Sequence, residues 1–154
     1  FASAVGEVNV VEMMKKHNAI IGGEGNGGII YPALHYGRDA LVGIALFLTL
    51  LAKSKMTCSQ LRSTYPNYEI SKNKMELTKD MNVDSILEQM AETNKDYEVS
   101  TIDGVKINIE KEWVHLRKSN TEPIIRVYSE SKDLDSANKL AQKIINEIKE
   151  IINK

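Results

Sequence analysis

Cysteine is almost absent from this sequence, since Cys58 is the only one, and the chain therefore cannot form an internal disulfide. A single thiol fits a reducing compartment, and we expect a cytoplasmic protein. The three histidines, His17, His35 and His115, lie far apart and show no metal-ligand spacing with Cys58. We therefore expect no zinc or other metal site in this chain.

An excess of charge of either sign is also missing. The 20 Lys and Arg residues balance 21 Asp and Glu residues, and only 6% of the residues are aromatic. A nucleic-acid partner is disfavoured, because duplex binders usually carry a basic excess and single-strand binders stack bases on aromatic side chains. The longest apolar run, residues 40–52, contains Gly43 and Thr49 and is too short to span a bilayer. We expect it to form a buried helix, and we expect no membrane partner.

The organisation of the chain suggests two units. A length of 154 residues suffices for one ordinary domain or for two small units. The composition changes from apolar to polar near residues 54–57, so we expect one unit at 1–55 and another at 56–154. The chain begins with Phe1 rather than methionine, and we expect it to be a fragment of a longer polypeptide or an engineered piece.

The first unit has the pattern of an α/β structure. Apolar spacing predicts a helix over 8–16, and the short apolar run 19–21 before a glycine cluster predicts a buried strand that enters a loop. Asp39 is placed to cap a helix over 40–53. That helix is apolar nearly all round, so we expect it to be covered on most sides.

The second unit has the pattern of an α+β structure. Asp103-Gly104 predicts a two-residue hairpin turn, and alternating apolar residues follow it. The long amphipathic helix that begins at Asp133 carries one apolar stripe. We therefore expect an antiparallel sheet with helices packed on one face. Helices are predicted at 57–62, at 83–91 and from 133 onwards, and strands at 68–77, 105–109, 113–118 and 124–129.

The loop between the last two predicted strands carries the strongest chemical signal. Arg117 ends one strand and Arg126 lies in the next, with Ser119, Asn120 and Thr121 between them. A phosphate dianion needs this combination of hydroxyl donors, consecutive backbone N–H groups and a guanidinium. Asn tolerates the left-handed conformation of a tight anion-binding turn. The alternative interpretation is a polar hairpin loop with two solvent-facing arginines, and composition alone does not exclude it.

Residues 117–123 read Arg-Lys-Ser-Asn-Thr-Glu-Pro, and Arg126 follows them. They resemble the C-terminal phosphate-binding loop of the α-D-phosphohexomutases, whose usual pattern is Arg-x-Ser-Gly-Thr-Glu-Pro with a downstream arginine. Asn120 stands where the pattern has glycine, a change compatible with the same left-handed turn. This family includes phosphoglucomutase, phosphomannomutase and phosphoglucosamine mutase.

Residues 23–28 read Gly-Glu-Gly-Asn-Gly-Gly and resemble the family's sugar-binding loop, commonly Gly-Glu-x-Ser-Gly-His. Glu24 matches the carboxylate that accepts hydrogen bonds from sugar hydroxyls. Asn26 takes the place of the serine, and Gly28 takes the place of the histidine. Glu7 lies in a Val-Gly-Glu segment that resembles the one before the last helix of domain three, and it is a further candidate sugar-binding residue.

The resemblance implies a fold and a reaction. Residues 1–55 would be the C-terminal α/β part of domain three, and residues 56–154 would be domain four, an α+β domain like the TATA-binding protein. In such enzymes a phosphoserine in domain one phosphorylates a hexose phosphate, and the bisphosphate intermediate reorients and returns the other phosphoryl group. Magnesium is held by aspartates of domain two. No segment here matches the serine loop or those aspartates, so no catalytic residue, metal ligand or cofactor is expected in this chain.

The resemblance also implies partners and site residues. The partners would be a hexose or hexosamine phosphate and the missing N-terminal domains of the same polypeptide. A phosphoglucosamine mutase-like isomerase is favoured, and this chain alone is expected to be inactive. The alternatives are a phosphoglucomutase/phosphomannomutase of the same family and a stand-alone module that binds phosphorylated ligands. The implied phosphate-binding residues are Arg117, Ser119, Asn120, Thr121 and Arg126, and the implied sugar-binding residues are Glu24, Asn26 and Glu7.

Overall fold

A computed structural model describes residues 1–78, 81–119 and 121–153. The contacts within the chain divide it into two compact units, Phe1–Tyr65 and Pro66–Lys154. The composition change near residue 55 coincides instead with the end of a helix that lies within the first unit. The limits 1–55 and 56–154 for the two domains stay a prediction.

The first unit contains three helices and a small two-stranded antiparallel sheet. Its small core consists of Val10, Met14 and Ile30, because the spacing of Val10 and Met14 places both on one side of the first helix. The elements are α1 Glu7–His17, β1 Gly22–Gly23, β2 Ile29–Ile30, α2 Ala40–Ser54 and α3 Cys58–Ser63.

The sequence prediction was wrong for residues 19–21, which form no strand. Asn18 ends α1 in the left-handed conformation (φ 49°), and the N–H of Ala19 still donates to the Met14 backbone oxygen at 2.9 Å. The chain therefore turns at the helix end, and Ile20 is 81% exposed. The paired strand begins later, at Gly22.

The apolar helix α2 begins where the sequence predicts. The Asp39 side chain accepts a hydrogen bond from the Val42 N–H at 3.0 Å and caps the helix. The expected cover on most sides is not provided by the described residues, since no residue of α2 is buried. The large apolar side chains that α2 exposes are Leu41, Ile44, Leu46, Phe47, Leu48 and Leu50.

The second unit is an antiparallel sheet with helices, as the sequence predicts. Its strands are β3 Glu69–Glu76, β4 Glu98–Ser100, β5 Val105–Ile109, β6 Glu112–Lys118 and β7 Ile124–Ser131, and its helices are α4 Val83–Thr93 and α5 Leu134–Ile152. The short strand β4 is not among the predicted strand ranges. The strand order is β3-β7-β6-β5-β4. Helix α5 contacts β7 and β3, and helix α4 contacts β5.

The core of the second unit follows from the two-residue alternation of the strands. One sheet face presents Val114 and Leu116 of β6 together with Ile125 and Val127 of β7, all fully buried. The apolar stripe of α5 covers this face, because residues three and four apart align on one side of a helix. The helical residues buried in this core are Ile86, Leu87, Met90, Leu140, Ala141, Ile144 and Ile148.

The turn before β5 differs from the predicted two-residue hairpin turn. Four residues, 101–104, connect β4 and β5, and only Gly104 among them has a positive φ, of 71°. A Cβ atom on Gly104 would lie 2.1 Å from the Leu116 backbone oxygen, so the turn needs glycine because it lies against β6. The tight connection lies one hairpin later, at Glu110 (φ 56°) and Lys111, between β5 and β6.

Candidate functional site

The glycine-rich segment of the first unit forms a closed loop between β1 and β2. The Glu24 N–H donates to the Gly28 backbone oxygen at 3.0 Å, and the Gly27 N–H donates to the Glu24 backbone oxygen at 3.0 Å. The Asn26 side-chain oxygen accepts from the Gly28 N–H at 2.9 Å, so this predicted sugar-binding side chain also holds the loop's own shape. A Cβ atom on Gly23 would lie 2.6 Å from the Gly28 backbone oxygen, which explains glycine at the base of the loop.

The N-terminus of α1 brings the two predicted sugar-binding carboxylates to one place. Glu24 Oε1 accepts a hydrogen bond from the Gly6 N–H at 3.3 Å, and Glu7 is the first residue of the helix. Carboxylates are stabilised there by the positive end of the helix dipole.

Arg38 is the partner of Glu7, and the sequence did not identify it as a site residue. Glu7 Oε1 accepts from the Arg38 backbone N–H at 3.1 Å, and Glu7 Oε2 accepts from Arg38 Nε at 2.7 Å. The two residues lie 31 positions apart in sequence. No local pattern indicates a contact of this kind.

An open cleft of about 470 Å³ lies beside this ion pair. Carboxylate, guanidinium and backbone groups face it, which suits a ligand rich in hydroxyl groups. The cleft is lined by Glu7, Gly27, Gly28, Ile29, Gly37, Arg38, Asp39 and Ala40.

His35 and Asp39 fix the segment that carries Arg38. The Gly37 N–H donates to His35 Nδ1 at 3.1 Å, so Nε2 carries the ring proton and donates it to Asp39 Oδ2, also at 3.1 Å. The hydrogen bond from the Val42 backbone N–H, and then the one from His35, hold the pKa of Asp39 below its ordinary value. Asp39 is thus a negatively charged helix cap at neutral pH.

The predicted phosphate loop of the second unit is closed by its own backbone. The Ser119 N–H donates to the Ile124 backbone oxygen at 3.1 Å, and the Thr121 N–H approaches Ser119 Oγ at 3.4 Å. These two N–H groups are therefore engaged within the loop. The Ser119 hydroxyl oxygen acts as an acceptor here, which leaves the hydroxyl hydrogen to donate elsewhere. Asn120 lies outside the described residues.

Three basic residues lie in one row across the strands beside this loop. Arg117 of β6 pairs in register with Arg126 of β7, and Arg126 pairs with Lys74 of β3. Asp103 Oδ2 lies 3.3 Å from Arg117 Nε and compensates part of this charge. The His115 ring donates to the Asp103 backbone oxygen and fixes the turn that carries the carboxylate.

The structure thus gathers Arg117, Ser119, Thr121 and Arg126 at one end of the sheet, and it adds two residues that the sequence analysis missed. Lys74 lies within the strand predicted at 68–77, and its position opposite Arg126 depends on the strand order. Asp103 was assigned only to a turn. Its Asp-Gly signal gave no reason to place it against an arginine.

Neither a cluster of metal-binding side chains nor a membrane-spanning helix is present in the part of the chain that the structure describes. No group of three or more His, Cys, Asp and Glu residues is placed there to hold a metal ion. None of the helices in the described ranges combines the length and apolar character needed to cross a membrane.

Comparison with known families matches nearly the whole chain. Residues 1–68 match the model of phosphoglucomutase/phosphomannomutase, alpha/beta/alpha domain III, and residues 73–147 match that of the C-terminal domain of the same family. A solved phosphoglucomutase/phosphomannomutase family protein from Burkholderia thailandensis has the same fold, with a TM-score of 0.70 at 22% identity. That similarity covers 95% of this chain and 31% of the solved one.

Curated relatives are similar along the chain and much longer than it. A phosphoglucosamine/phosphogalactosamine mutase from Sulfurisphaera tokodaii is 39% identical over 96% of this chain and 32% of its own length. A phosphoglucomutase/phosphomannomutase from Thermococcus kodakarensis is 38% identical over 86% of this chain and 29% of its own length. The chain thus spans about a third of the curated relatives that it matches. The chain belongs to the phosphoglucomutase/phosphomannomutase family, the α-D-phosphohexomutases, and it matches domain III and the C-terminal domain of that family.

Proposed function

We propose that this chain is the substrate-binding C-terminal part of a phosphohexomutase that interconverts a hexose or hexosamine 6-phosphate and the corresponding 1-phosphate. The observation that carries the proposal is the row of Arg117, Arg126 and Lys74 beside the Ser119 loop. Like charges directly opposite one another destabilise a sheet, so a row of three cations favours a dianionic ligand. The names of the similar proteins favour a phosphoglucosamine mutase-like enzyme.

The phosphate that is not transferred binds to the second unit. Arg117 and Arg126 supply guanidinium groups, and the hydroxyls of Ser119 and Thr121 supply further donors. Asn120, which lies outside the described residues, stays a predicted phosphate-binding residue. Because Asp103 contacts Arg117 through Nε, the two Nη groups of Arg117 are left to meet phosphate oxygens.

The sugar hydroxyls bind to the first unit. Glu24 is an acceptor-only carboxylate and can accept from different hydroxyls when the sugar binds in either of two orientations. The mutase reaction requires such tolerance, since the bisphosphate intermediate must be bound both ways round. Asn26 holds the shape of the loop that contacts the same ligand. Glu7, at the start of α1, contributes to the same binding site.

The phosphoryl transfer itself takes place on residues outside this chain. The chain spans about a third of the length of its relatives, and we place the phosphoserine and the magnesium-binding aspartates in N-terminal domains of the same polypeptide. This chain alone binds and orients the substrate and has no mutase activity. The single Cys58 fits a cytoplasmic enzyme.

The test is a mutase assay on the complete polypeptide that contains this chain. The complete polypeptide should convert glucosamine 6-phosphate to the 1-phosphate, and this chain by itself should not. Failure of the complete polypeptide to convert any of glucosamine, glucose or mannose 6-phosphate would overturn the proposal. The ratio of kcat/KM values for the three sugars decides between a phosphoglucosamine mutase and a phosphoglucomutase/phosphomannomutase.

A second candidate function is a stand-alone module that binds phosphorylated ligands. It is favoured by one observation: the second unit holds the phosphate loop and its basic row within a single compact body with its own core. This candidate predicts that inorganic phosphate and sugar phosphates bind equally well. A mutase fragment gains affinity from the sugar as well.

A further inference from the structure

Gly28 leaves room beside the sugar loop that another residue fills. It stands where the family pattern has a histidine, so the loop itself carries no imidazole at this point. A Cβ atom built on Gly28 would lie 3.0 Å from Cδ and 3.4 Å from Cγ of Arg38. The stem of Arg38 therefore occupies the space into which a side chain at position 28 would project.

The Arg38 side chain is also held in a defined orientation. Glu7 accepts hydrogen bonds from both the backbone N–H and Nε of Arg38, at 3.1 and 2.7 Å. This contact uses one of the five N–H donors of the guanidinium, and it leaves the four Nη hydrogens unused by Glu7. The Arg38 side chain is 55% exposed and lines the cleft beside the glycine-rich loop.

We propose that Arg38 is a sugar-binding residue that takes the place of the missing imidazole, with Glu7 as its positioning residue; this inference rests on the proposed function. A guanidinium only donates hydrogen bonds, and the Glu24 carboxylate only accepts them. The two groups complement each other around neighbouring sugar hydroxyls, each of which has both a hydrogen to give and lone pairs to offer.

Two properties follow from a guanidinium in this place. The charge of arginine does not change between about pH 5 and 8, whereas that of a histidine with an ordinary pKa of about 6.5 does. The charge of Arg38 should therefore add no pH dependence to substrate affinity in this range. Because hydroxyl groups are common to hexoses and hexosamines, loss of Arg38 should weaken the binding of both sugar classes by a similar factor.

The first test compares Arg38→Ala with Arg62→Ala, an arginine of the same unit outside the cleft, in the complete polypeptide. We expect Arg38→Ala to raise KM for glucosamine 6-phosphate and glucose 6-phosphate about tenfold or more, with little change for Arg62→Ala. The inhibition constant of inorganic phosphate, which reports the phosphate loop, should stay unchanged. An unchanged KM, or an equal weakening of phosphate inhibition, would overturn the role of Arg38.

The second test moves the imidazole back into the loop. Gly28→His alone should raise KM, since the new side chain meets Arg38. In Gly28→His combined with Arg38→Ala, KM should fall part of the way back to the wild-type value. The substrate affinity of this double variant should depend on pH, with a midpoint at about pH 6.5. Recovery without any pH dependence would show that the position only fills space, and it would contradict a donor role.

Two further outcomes are decisive. If Arg38→Ala does not fold, as judged by thermal melting, Arg38→Lys carries the test, because it keeps the charge but loses the fork of donors. A KM of Arg38→Lys between the wild-type value and the increase expected for complete loss of the side chain supports the inference. A wild-type KM in Arg38→Lys overturns it. A wild-type polypeptide that converts no hexose phosphate overturns the proposed function itself, which separates the two failures.

Discussion

At the scale of single residues, the basic row of the second unit destabilises the sheet by like-charge repulsion and suits the phosphate ligand that we propose. Arg117, Arg126 and Lys74 lie directly opposite one another on three neighbouring strands. Asp103 offsets the charge of Arg117 only partly, since both side chains of this pair keep about 30% of their surface exposed to screening solvent (31% and 29%). Glu76 Oε1 likewise lies 3.5 Å from Lys74 Nζ in an exposed pair, and a bound phosphate dianion would offset the charge that these pairs leave.

Arg117→Ala is the residue-scale prediction. Charge-assisted hydrogen bonds to a phosphate contribute about 1.5–3 kcal/mol, so the affinity for inorganic phosphate and for sugar phosphates should fall about tenfold or more. Isothermal titration of the two ligands measures this directly. Arg62→Ala serves as the matched control and should bind like the wild type. Wild-type affinity in Arg117→Ala would remove this residue from the site.

The same scale shows what a sequence can and cannot reveal about a site. Arg117, Ser119 and Thr121 could be proposed because they lie within five positions of one another in a recognisable loop. Lys74 and Arg38 could not, since each depends on a pairing between distant segments. Lys74 meets Arg126 through the strand order, and Arg38 meets Glu7 across 31 positions.

At the scale of secondary-structure elements, local chemistry predicted the helices well. Asp39, Thr57 and Asp133 each accept a hydrogen bond from a backbone N–H in the first turn of the following helix. These side chains satisfy donors that have no partner within the helix, which is why they mark its start in the sequence. Apolar periodicity then extends each helix until a polar or left-handed residue ends it.

The cap of α2 makes a prediction about pH. The pKa of Asp39 is lowered by the Val42 N–H and by His35, so its charge stabilises the fold above the unfolded pKa of about 3.9. This contribution is lost as the pH falls through the lowered pKa of the folded state. Asp39→Asn keeps a capping oxygen but removes the charge.

Urea unfolding of the wild type and of Asp39→Asn measures this effect. The wild type should be the more stable of the two at about pH 7, and the difference should vanish at about pH 2, where the carboxyl is protonated in both states. Asp39→Ala, which also removes the cap, should be less stable than Asp39→Asn at both pH values. A difference between the wild type and Asp39→Asn that is independent of pH would contradict the assigned role of the charge.

The two elements that the sequence misplaced have different causes. The apolar run 19–21 follows a left-handed Asn18, and the Ala19 N–H still donates to the Met14 backbone oxygen, so a local helix C-cap occupies residues that the apolar run assigns to a strand. The Asp103-Gly104 turn lies against β6, and the close approach of Gly104 to Leu116 requires glycine for space as well as for φ. Only the second contact joins separate segments of the chain.

At the scale of the whole molecule, the chain carries two loops for which we propose different parts of one ligand. The proposed sugar-binding loop belongs to the unit Phe1–Tyr65, and the proposed phosphate-binding loop belongs to the unit Pro66–Lys154. The exposed apolar surface of α2 contrasts with the well-covered core of the second unit. The two family matches, residues 1–68 and 73–147, likewise divide the chain into two parts.

We propose that one ligand, a sugar phosphate, is recognised by these chemically different loops, and an NMR titration of this chain tests the proposal most directly. Inorganic phosphate should shift amide resonances within 117–126 only, and glucosamine 6-phosphate should shift these and, in addition, resonances around Glu24. Arg117→Ala should abolish the first set of shifts. Shifts from either ligand that leave 117–126 unaffected, or equal shifts around Glu24 from phosphate alone, would contradict the account.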